Sequence, residues 1–329
     1  MTRLIVAGAG AIGRRHLHHI VEHPDLTLAA IVDPSHEARG LADAPGFETL
    51  QDVDIEADGI VIATPTQDHE ASFAEAVRRG WGALIEKPIA HSLEAANRMV
   101  GMSRASGVPI LTGHHRRFHP RVRQLQDLIA TRIGQAVIAN VIWAVKKPEG
   151  YFDVPWRAGA DGAPVRMNVS HEIDLLQFLF GEVTGVVGLG ANPVRGAKRV
   201  ESGGVVMSFA SGLVATIAFA DTTPTPWGFE HGSGENPNIA TTGQTSLRVA
   251  GTQGGVEFPS LRTWEGAADW GQAPTPHDHP TEDGVPLVLQ LEHFARVLAG
   301  KETPINDGAS GQRTLDLTLQ VEASTLPCA

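Results

Sequence analysis

The sequence predicts an α/β protein that opens with a doubly wound parallel sheet and continues into a second, strand-rich half. Three observations carry that prediction. Residues 3–7, RLIVA, form a short apolar strand that runs straight into a glycine-rich turn and a helix-spaced segment. Short apolar strands then alternate with helix-spaced segments as far as His115, the pattern of repeated βα units. Beyond residue 120 the alternation stops and longer β-branched stretches take over.

Taken in order, the first strand leads into Gly8-Ala9-Gly10-Ala11-Ile12-Gly13 and then RRHLHHIVEH, with Ile12, Leu17 and Ile20 at helical spacing. A second strand, LTLAAIVD, ends in Asp33, 20 residues after Gly13. In such a turn one glycine permits the tight bend, one lets the backbone approach a pyrophosphate, and one lets helix pack on strand. The helix N-terminus offers free N–H groups and the positive end of its dipole. The spacing therefore predicts a dinucleotide site at Gly8, Gly10, Ala11, Ile12 and Gly13. Asp33 accepts from the adenosine ribose hydroxyls and favours NAD over NADP, because a carboxylate repels a 2′-phosphate. Arg14 and Arg15 offer the opposite charge. His16, His18, His19 and His23 read as a solvated helix surface.

The next elements are a strand in GIVIAT (59–64), a helix in DHEASFAEAVRRG, a strand in GALIE (82–86), a helix in SLEAANRMVGMSRASG and a strand in VPILTGHH. Ligands of such sheets sit beyond the carboxyl ends of the strands. Gly8, Asp33, Thr64, Glu86, Lys87, His114 and His115 all fall at that edge. Lys87 is the candidate catalytic group there: oxidation of an alcohol by nicotinamide requires that the hydroxyl lose its proton, and a lysine of suitable proton affinity takes it. Pro88 stiffens the turn behind it. His115 and Arg116 are candidate borders of a substrate pocket, and Arg117, Arg121 and Arg123 read as surface or helix-pairing charges.

In the second half, 135–146 reads as a strand, 203–221 as a hairpin turning at Ala210-Ser211-Gly212, 245–259 as another hairpin and 286–300 as a helix. Residues 221–240 and 271–286, rich in Pro, Gly and polar residues, read as long loops. MNVSHEIDLLQFLFG (167–181) reads as a helix whose apolar rows pack it in place. His171 and Asp174, three apart, share one face of it and are expected to look outward toward a cleft, with Asn168 just upstream. Ser170 beside His171 suggests a nucleophile and base, but sequence neighbours on a helix point apart. Trp156 and Trp227 lie in Pro-flanked loops where an aromatic ring can stack on a sugar; Trp143, Trp264 and Trp270 read as core or interface residues.

The 329 residues carry a net charge of −11 with no long basic run, which argues against nucleic acid or an anionic membrane as partner. A single cysteine, Cys328, excludes an intrachain disulfide and suits a reducing cytoplasm. No stretch has the form of a signal peptide or membrane span. His114, His115 and His119 cluster, as do His277 and His279, but no HExxH or paired CxxC occurs, so no metal is predicted. A broad sheet with few crossovers needs both faces covered; helices cover one, and a second subunit is expected on the other, giving a homo-oligomer, dimer or tetramer.

GAGAIGRRH, ATPTQDH (63–69), EKP (86–88), GHHRRFHP (113–120), PWR (155–157) and HEIDLLQFLFGEV (171–183) occur in the order and approximate spacing of the glucose–fructose oxidoreductase/inositol dehydrogenase (Gfo/Idh/MocA) family, which the chain resembles over nearly its whole length. The resemblance implies a Rossmann domain over 1–120 and, over 121–329, a substrate-binding and oligomerisation domain, α/β with a large, mostly antiparallel sheet. It implies an NAD(P)-dependent oxidoreductase acting on a sugar, cyclic polyol or similar small molecule. By the same resemblance Lys87 lies beside the nicotinamide and the substrate hydroxyl; Thr64 and Pro65 line the cofactor with His69 and Glu86 nearby; Trp156 and Arg157 contact the nicotinamide end; His171 faces the substrate with Asp174 one turn along. Asn168, Asp174, His115, Arg116 and Trp227 complete the candidate substrate contacts. One departure stands out: many relatives carry an aspartate four residues before that histidine, and this chain has Met167, with Asn168, which is neither acid nor base, as the nearest polar residue. Two other functions fit the same pattern: glycoside cleavage by transient oxidation with bound NAD, and a non-catalytic dinucleotide-binding regulator.

Overall fold

The computed structural model describes residues 1–159, 162–196 and 199–325, with the side chains of Pro155 and Trp156 outside the description. The chain divides into two compact units. The first begins with β1 (Thr2–Ala7), α1 (Ala11–Glu22), β2 (Leu26–Val32), α2 (His36–Arg39), β3 (Gly46–Phe47), β4 (Gly59–Ile62), α3 (His69–Arg79), β5 (Gly82–Ile85), α4 (Leu93–Ser106) and β6 (Ile110–Thr112). Its six strands form one sheet in the order β3-β2-β1-β4-β5-β6, and every pair is parallel. The order reverses beside β1, which is where a doubly wound sheet opens a crevice at its carboxyl edge. Local signals end the helices as the sequence directs: the Ser92 hydroxyl accepts the Ala95 N–H to start α4, and Gly80 and Gly107 adopt positive φ at the ends of α3 and α4.

The second unit contains α5 (Pro120–Arg132), β7 (Ala136–Val145), α6 (Pro155–Ala158), a π-helical turn (Val165–Val169) that leads into α7 (Ser170–Phe180), then β8 (Val183–Ala191), β9 (Ser202–Phe209), β10 (Val214–Ala220), β11 (Pro224–Trp227), α8 (Phe229–Ser233), β12 (Leu247–Gly251), β13 (Gly254–Phe258), β14 (Thr263–Glu265) and β15 (Thr275–His277). The strands form a nine-stranded sheet in the order β15-β14-β13-β12-β7-β10-β9-β8, with β11 also on β7. It is antiparallel throughout except for the central β7–β10 pair. Both expected hairpins form, the first turning with Gly212 at positive φ. The segments 221–240 and 271–286 are more ordered than loops: they hold β11, α8 and β15, short elements whose Pro- and Gly-rich composition hides them from periodicity.

Alternation along the central strands sorts the second sheet into two faces. Ala139, Val141, Trp143, Val205, Met207, Ala215, Ile217 and Phe219 pack into a core with Val122 and Leu125 of α5 and Ile173, Leu175 and Leu176 of α7. On the other face Ile138, Val187, Leu189, Val206 and Val214 are exposed; the pairings Val187↔Val206 and Val214↔Ile138 put them side by side.

The last two helices are α9 (Pro286–Leu298) and α10 (Gly308–Thr325). Here the structure departs from the expected boundary, which assigned 121–329 to one domain: residues Val285–Asp316 belong by their contacts to the first unit. Leu291, Phe294 and Val297 of α9 share one core with Leu4, Val6, Val61, Leu84 and Leu111 of the parallel sheet and Leu17 and Ile20 of α1. Gly59 permits the approach, since a Cβ there would lie 2.9 Å from the Phe294 ring. The apolar stripe of α9 is legible in sequence; which sheet it covers is not, because any apolar face fits an apolar stripe.

Candidate active site

The three glycines of the turn in the first unit meet different surroundings. Gly8 has φ +87°, and a Cβ on it would sit 2.5 Å from the Ala63 carbonyl oxygen. A Cβ on Gly13 would overlap the Gly8 carbonyl, so this glycine lets α1 seat against β1. A Cβ on Gly10 would meet nothing, and α1 begins at Gly10 with no side chain capping it. Open space in front of an uncapped helix N-terminus fits a pyrophosphate. Two more observations agree. The Thr64 hydroxyl, next to Gly8, is buried without a hydrogen-bond partner among the described residues. The Asp33 carboxylate at the end of β2 accepts the Ala9 N–H (2.8 Å) and the Ser35 N–H (2.8 Å), which fixes it beside the turn while leaving lone pairs for ribose hydroxyls. Arg14 folds back onto the Ala9 carbonyl, and Arg39, which sequence reasoning missed, donates to the carbonyls of Asp33 and Pro34.

At the end of β4, His69 is buried, and its ring nitrogens lie 3.0 Å from the Thr64 carbonyl and 3.1 and 3.2 Å from those of Pro88 and Ile89. It therefore holds the Thr64–Pro65 turn to the segment after Lys87. Burial lowers its proton affinity, opposed by those carbonyls and by Glu86. Pro65 is exposed, Lys87 is half-buried, and the Lys87–Pro88 peptide is cis.

Glu86 is buried against His16 of α1, with Nε2 and Oε1 2.8 Å apart. Burial pushes its carboxyl up, but the His16 hydrogen bond, with His115 and Lys87 nearby, more than reverses this and holds it at about 2. His16 is thus not on a solvated surface. The signal was in the sequence: Gly13, His16, Leu17 and Ile20 share one helical face. His115 is half-buried, while Arg116 and Arg117 are buried; Arg117, expected at the surface, donates to the Ile305 carbonyl.

In the second unit, His171 and Asp174, expected to face a cleft, are 8% and 2% exposed. The helix carrying them is entered through the π-turn, a feature common at functional sites. Ser170 donates to the Arg166 carbonyl, which occupies it within its own helix. Asn168 accepts a hydrogen bond from Lys147 Nζ at 2.9 Å. Lys147, also missed by sequence reasoning, lies 5.0 Å from the Trp143 ring centroid and 4.9 Å from that of Tyr151, and Arg157 covers the same tyrosine at 4.6 Å. Next to Met167 the helix entry thus holds an amide bonded to an ammonium. Beside it lies a cavity of about 400 Å³ lined by Lys146, Lys147, Phe152, Asp153 and Arg195 among others. Arg195 is paired with Asp221 at 2.5 Å. Trp227 is 42% exposed at the end of β11; Trp143 is buried and donates to Glu230, while Trp270 is fully exposed. The Trp156 side chain lies outside the described residues. Among the described residues no group of three metal-ligating side chains is assembled.

The parallel sheet, the glycine turn and the acid at the end of β2 together define a dinucleotide-binding protein of the Rossmann class. Residues 2–114 match the model of an oxidoreductase family with an NAD-binding Rossmann fold, and 122–257 match the GFO/IDH/MocA C-terminal domain. The chain is 30% identical over 274 residues to a 1,5-anhydro-D-fructose reductase of Ensifer adhaerens, covering 78% of this chain and 82% of that one. It is 33% identical over 188 residues to the rhizopine catabolism protein MocA of Rhizobium meliloti, covering 55% of this chain and 57% of the relative. A UDP-N-acetylglucosamine 3-dehydrogenase of Acidithiobacillus ferrooxidans shares its fold with a TM-score of 0.80 at 21% identity, over 98% of this chain and 97% of that one. The chain belongs to the Gfo/Idh/MocA family of NAD-binding oxidoreductases.

Proposed function

We propose that the protein is an NAD-dependent dehydrogenase or reductase that interconverts a secondary alcohol and its carbonyl on a sugar, cyclic polyol or similar small molecule. The observation that carries this reading is the carboxyl edge of the parallel sheet. There the open space before Gly10, the fixed Asp33, the unpartnered Thr64 hydroxyl and Lys87 follow the ends of adjacent strands β2, β1, β4 and β5. The reductase and dehydrogenase relatives support the substrate class. Gly10 and the first turn of α1 hold the pyrophosphate, and Asp33 takes the ribose hydroxyls and selects against a 2′-phosphate. When bound, the nicotinamide supplies a hydride acceptor or donor.

Lys87 receives the proton of the alcohol in oxidation and returns it to the carbonyl oxygen in reduction. His171 and Asp174 orient the substrate, with Asn168, His115, Arg116 and Trp227 as further contacts. The first unit then serves the cofactor and the second serves substrate binding and assembly. The exposed row Ile138, Val187, Leu189, Val206 and Val214, with Leu189 at 78% exposure, supports a homo-oligomer built on that sheet face. A single cysteine supports a reducing, cytoplasmic setting.

A screen for NADH formation with NAD and NADP against sugars, inositols and hydroxy acids tests the reading. On the substrate so found, Lys87→Ala should lower kcat by about a hundredfold or more. Near-normal turnover of that variant would sink the lysine assignment.

A further inference from the structure

His16 lies too deep to touch a ligand at the sheet edge: it has no exposed surface, yet it bonds to the residue next to Lys87. Its Nδ1 is buried without a hydrogen-bond partner among the described residues. An imidazolium would leave an N–H there with nothing to receive it, so the hydrogen-bond pattern assigns a neutral ring with its proton on Nε2, donated to Glu86 Oε1. The other carboxylate oxygen, Oε2, accepts the Lys87 backbone N–H at 3.3 Å. The carboxylate also lies against Gly113, just past β6, where a Cβ would come within 2.7 Å of Oε2. Glu86 is thus gripped by α1, by its own strand end and by the neighbouring strand end. The charged and titratable groups facing it are His16, His115 and Lys87, with His69 in electrostatic reach.

We propose that His16 is a positioning residue: by donating to Glu86 it fixes a negative charge and the backbone at Lys87, and so sets both the aim and the proton affinity of that lysine. The proposal rests on the reading of Lys87 as the proton-handling group. It gives the helix that receives the pyrophosphate a direct mechanical and electrostatic connection to the lysine. A carboxylate held ionised beside Lys87 favours the ammonium form, so loss of that charge makes the lysine release its proton more readily. Burial acts against an ionised Glu86, and the His16 hydrogen bond is the leading group that overcomes it.

The test needs no substrate. Protein labelled with ¹³C at the lysine ε-carbon is titrated by NMR, with the Lys87 resonance assigned by its loss in Lys87→Arg. In Glu86→Gln the Lys87 midpoint should fall by about one pH unit or more. His16→Leu should produce the same fall as Glu86 takes up a proton. His16→Gln, which keeps an N–H donor near the position of Nε2, should restore the wild-type midpoint. Unchanged midpoints in both Glu86→Gln and His16→Leu would overturn the proposal. If either variant fails to fold, the ring ¹⁵N shifts of His16 in the wild-type protein decide instead: a neutral ring protonated on Nε2 at pH 7 supports it, and a proton on Nδ1 refutes it. A turnover assay of Lys87→Ala stands apart from these measurements, so full activity there would remove the lysine's role without altering the midpoints.

Discussion

Gly10 and Gly13 lie three residues apart, and their replacement by alanine should damage different things. At Gly10 φ is −68° and ψ is −166°, which alanine adopts without strain, and the added methyl group would enter open space. Alanine is a poorer N-cap than glycine, costing up to about 1 kcal/mol, and the stiffer unfolded chain returns about 0.4–1 kcal/mol. The fold should therefore be nearly unaffected. The open space is where the pyrophosphate must approach, so NAD affinity should fall at least about tenfold, or about 1.4 kcal/mol. At Gly13 the methyl group would overlap the Gly8 carbonyl oxygen, a backbone atom that cannot rotate away. That overlap should cost about 1–3 kcal/mol of stability, or several degrees in Tm, besides weakening NAD. Urea unfolding followed by circular dichroism, with NAD titrated calorimetrically into each variant, separates the two effects. A Gly10→Ala protein that binds NAD as tightly as wild type would refute the placement of the pyrophosphate.

Asp33→Ala removes the acceptor of the Ala9 and Ser35 N–H groups and the charge that opposes a 2′-phosphate; the ratio of NAD to NADP affinity should fall about tenfold or more, read as the ratio of the two Kd values. Glu86, held at about 2 against an ordinary 4.5, contributes stability that is fully present above 4.5 and lost as pH falls toward 2. The acid limb of a stability–pH curve should thus be shallower in Glu86→Gln than in wild type; identical limbs would contradict the buried His16–Glu86 pair. Phe294→Ala in α9 should cost about 3–5 kcal/mol, and limited proteolysis should show the loosening within residues 1–118; loosening of the antiparallel sheet instead would refute the assignment of α9 to the first unit.

Much of the first unit was legible because its signals are local. The turn, the helix after it and Asp33 lie within 33 residues, and Gly8 and Gly13 are held where a side chain would not fit. The edge of the sheet followed from the ends of its strands. What was not legible depends on burial across long separations. His16 and Glu86 are 70 residues apart and Lys147 and Asn168 21 apart, and nothing in either local pattern names the partner. His171 and Asp174, expected to face a cleft, are buried in α7, and the helical spacing that puts them on one face does not say how deeply that face is covered. The pattern that predicted a helix over 167–181 also gave no sign of the π-turn, which is a matter of i→i+5 backbone hydrogen bonds and not of residue type.

The placement of α9 sets a timetable for making the protein. A ribosome delivers residues 1–112, and with them all six strands of the parallel sheet, long before it reaches Pro286. Until then Leu4, Val6, Val61 and Leu84 lack the cover that Leu291, Phe294 and Val297 supply. The nascent sheet must wait with part of its apolar face bare through the synthesis of more than half the chain, at about 5–20 residues per second. The parallel-sheet unit, whose strands are all made ahead of the antiparallel sheet, therefore stays open until that sheet has been synthesised.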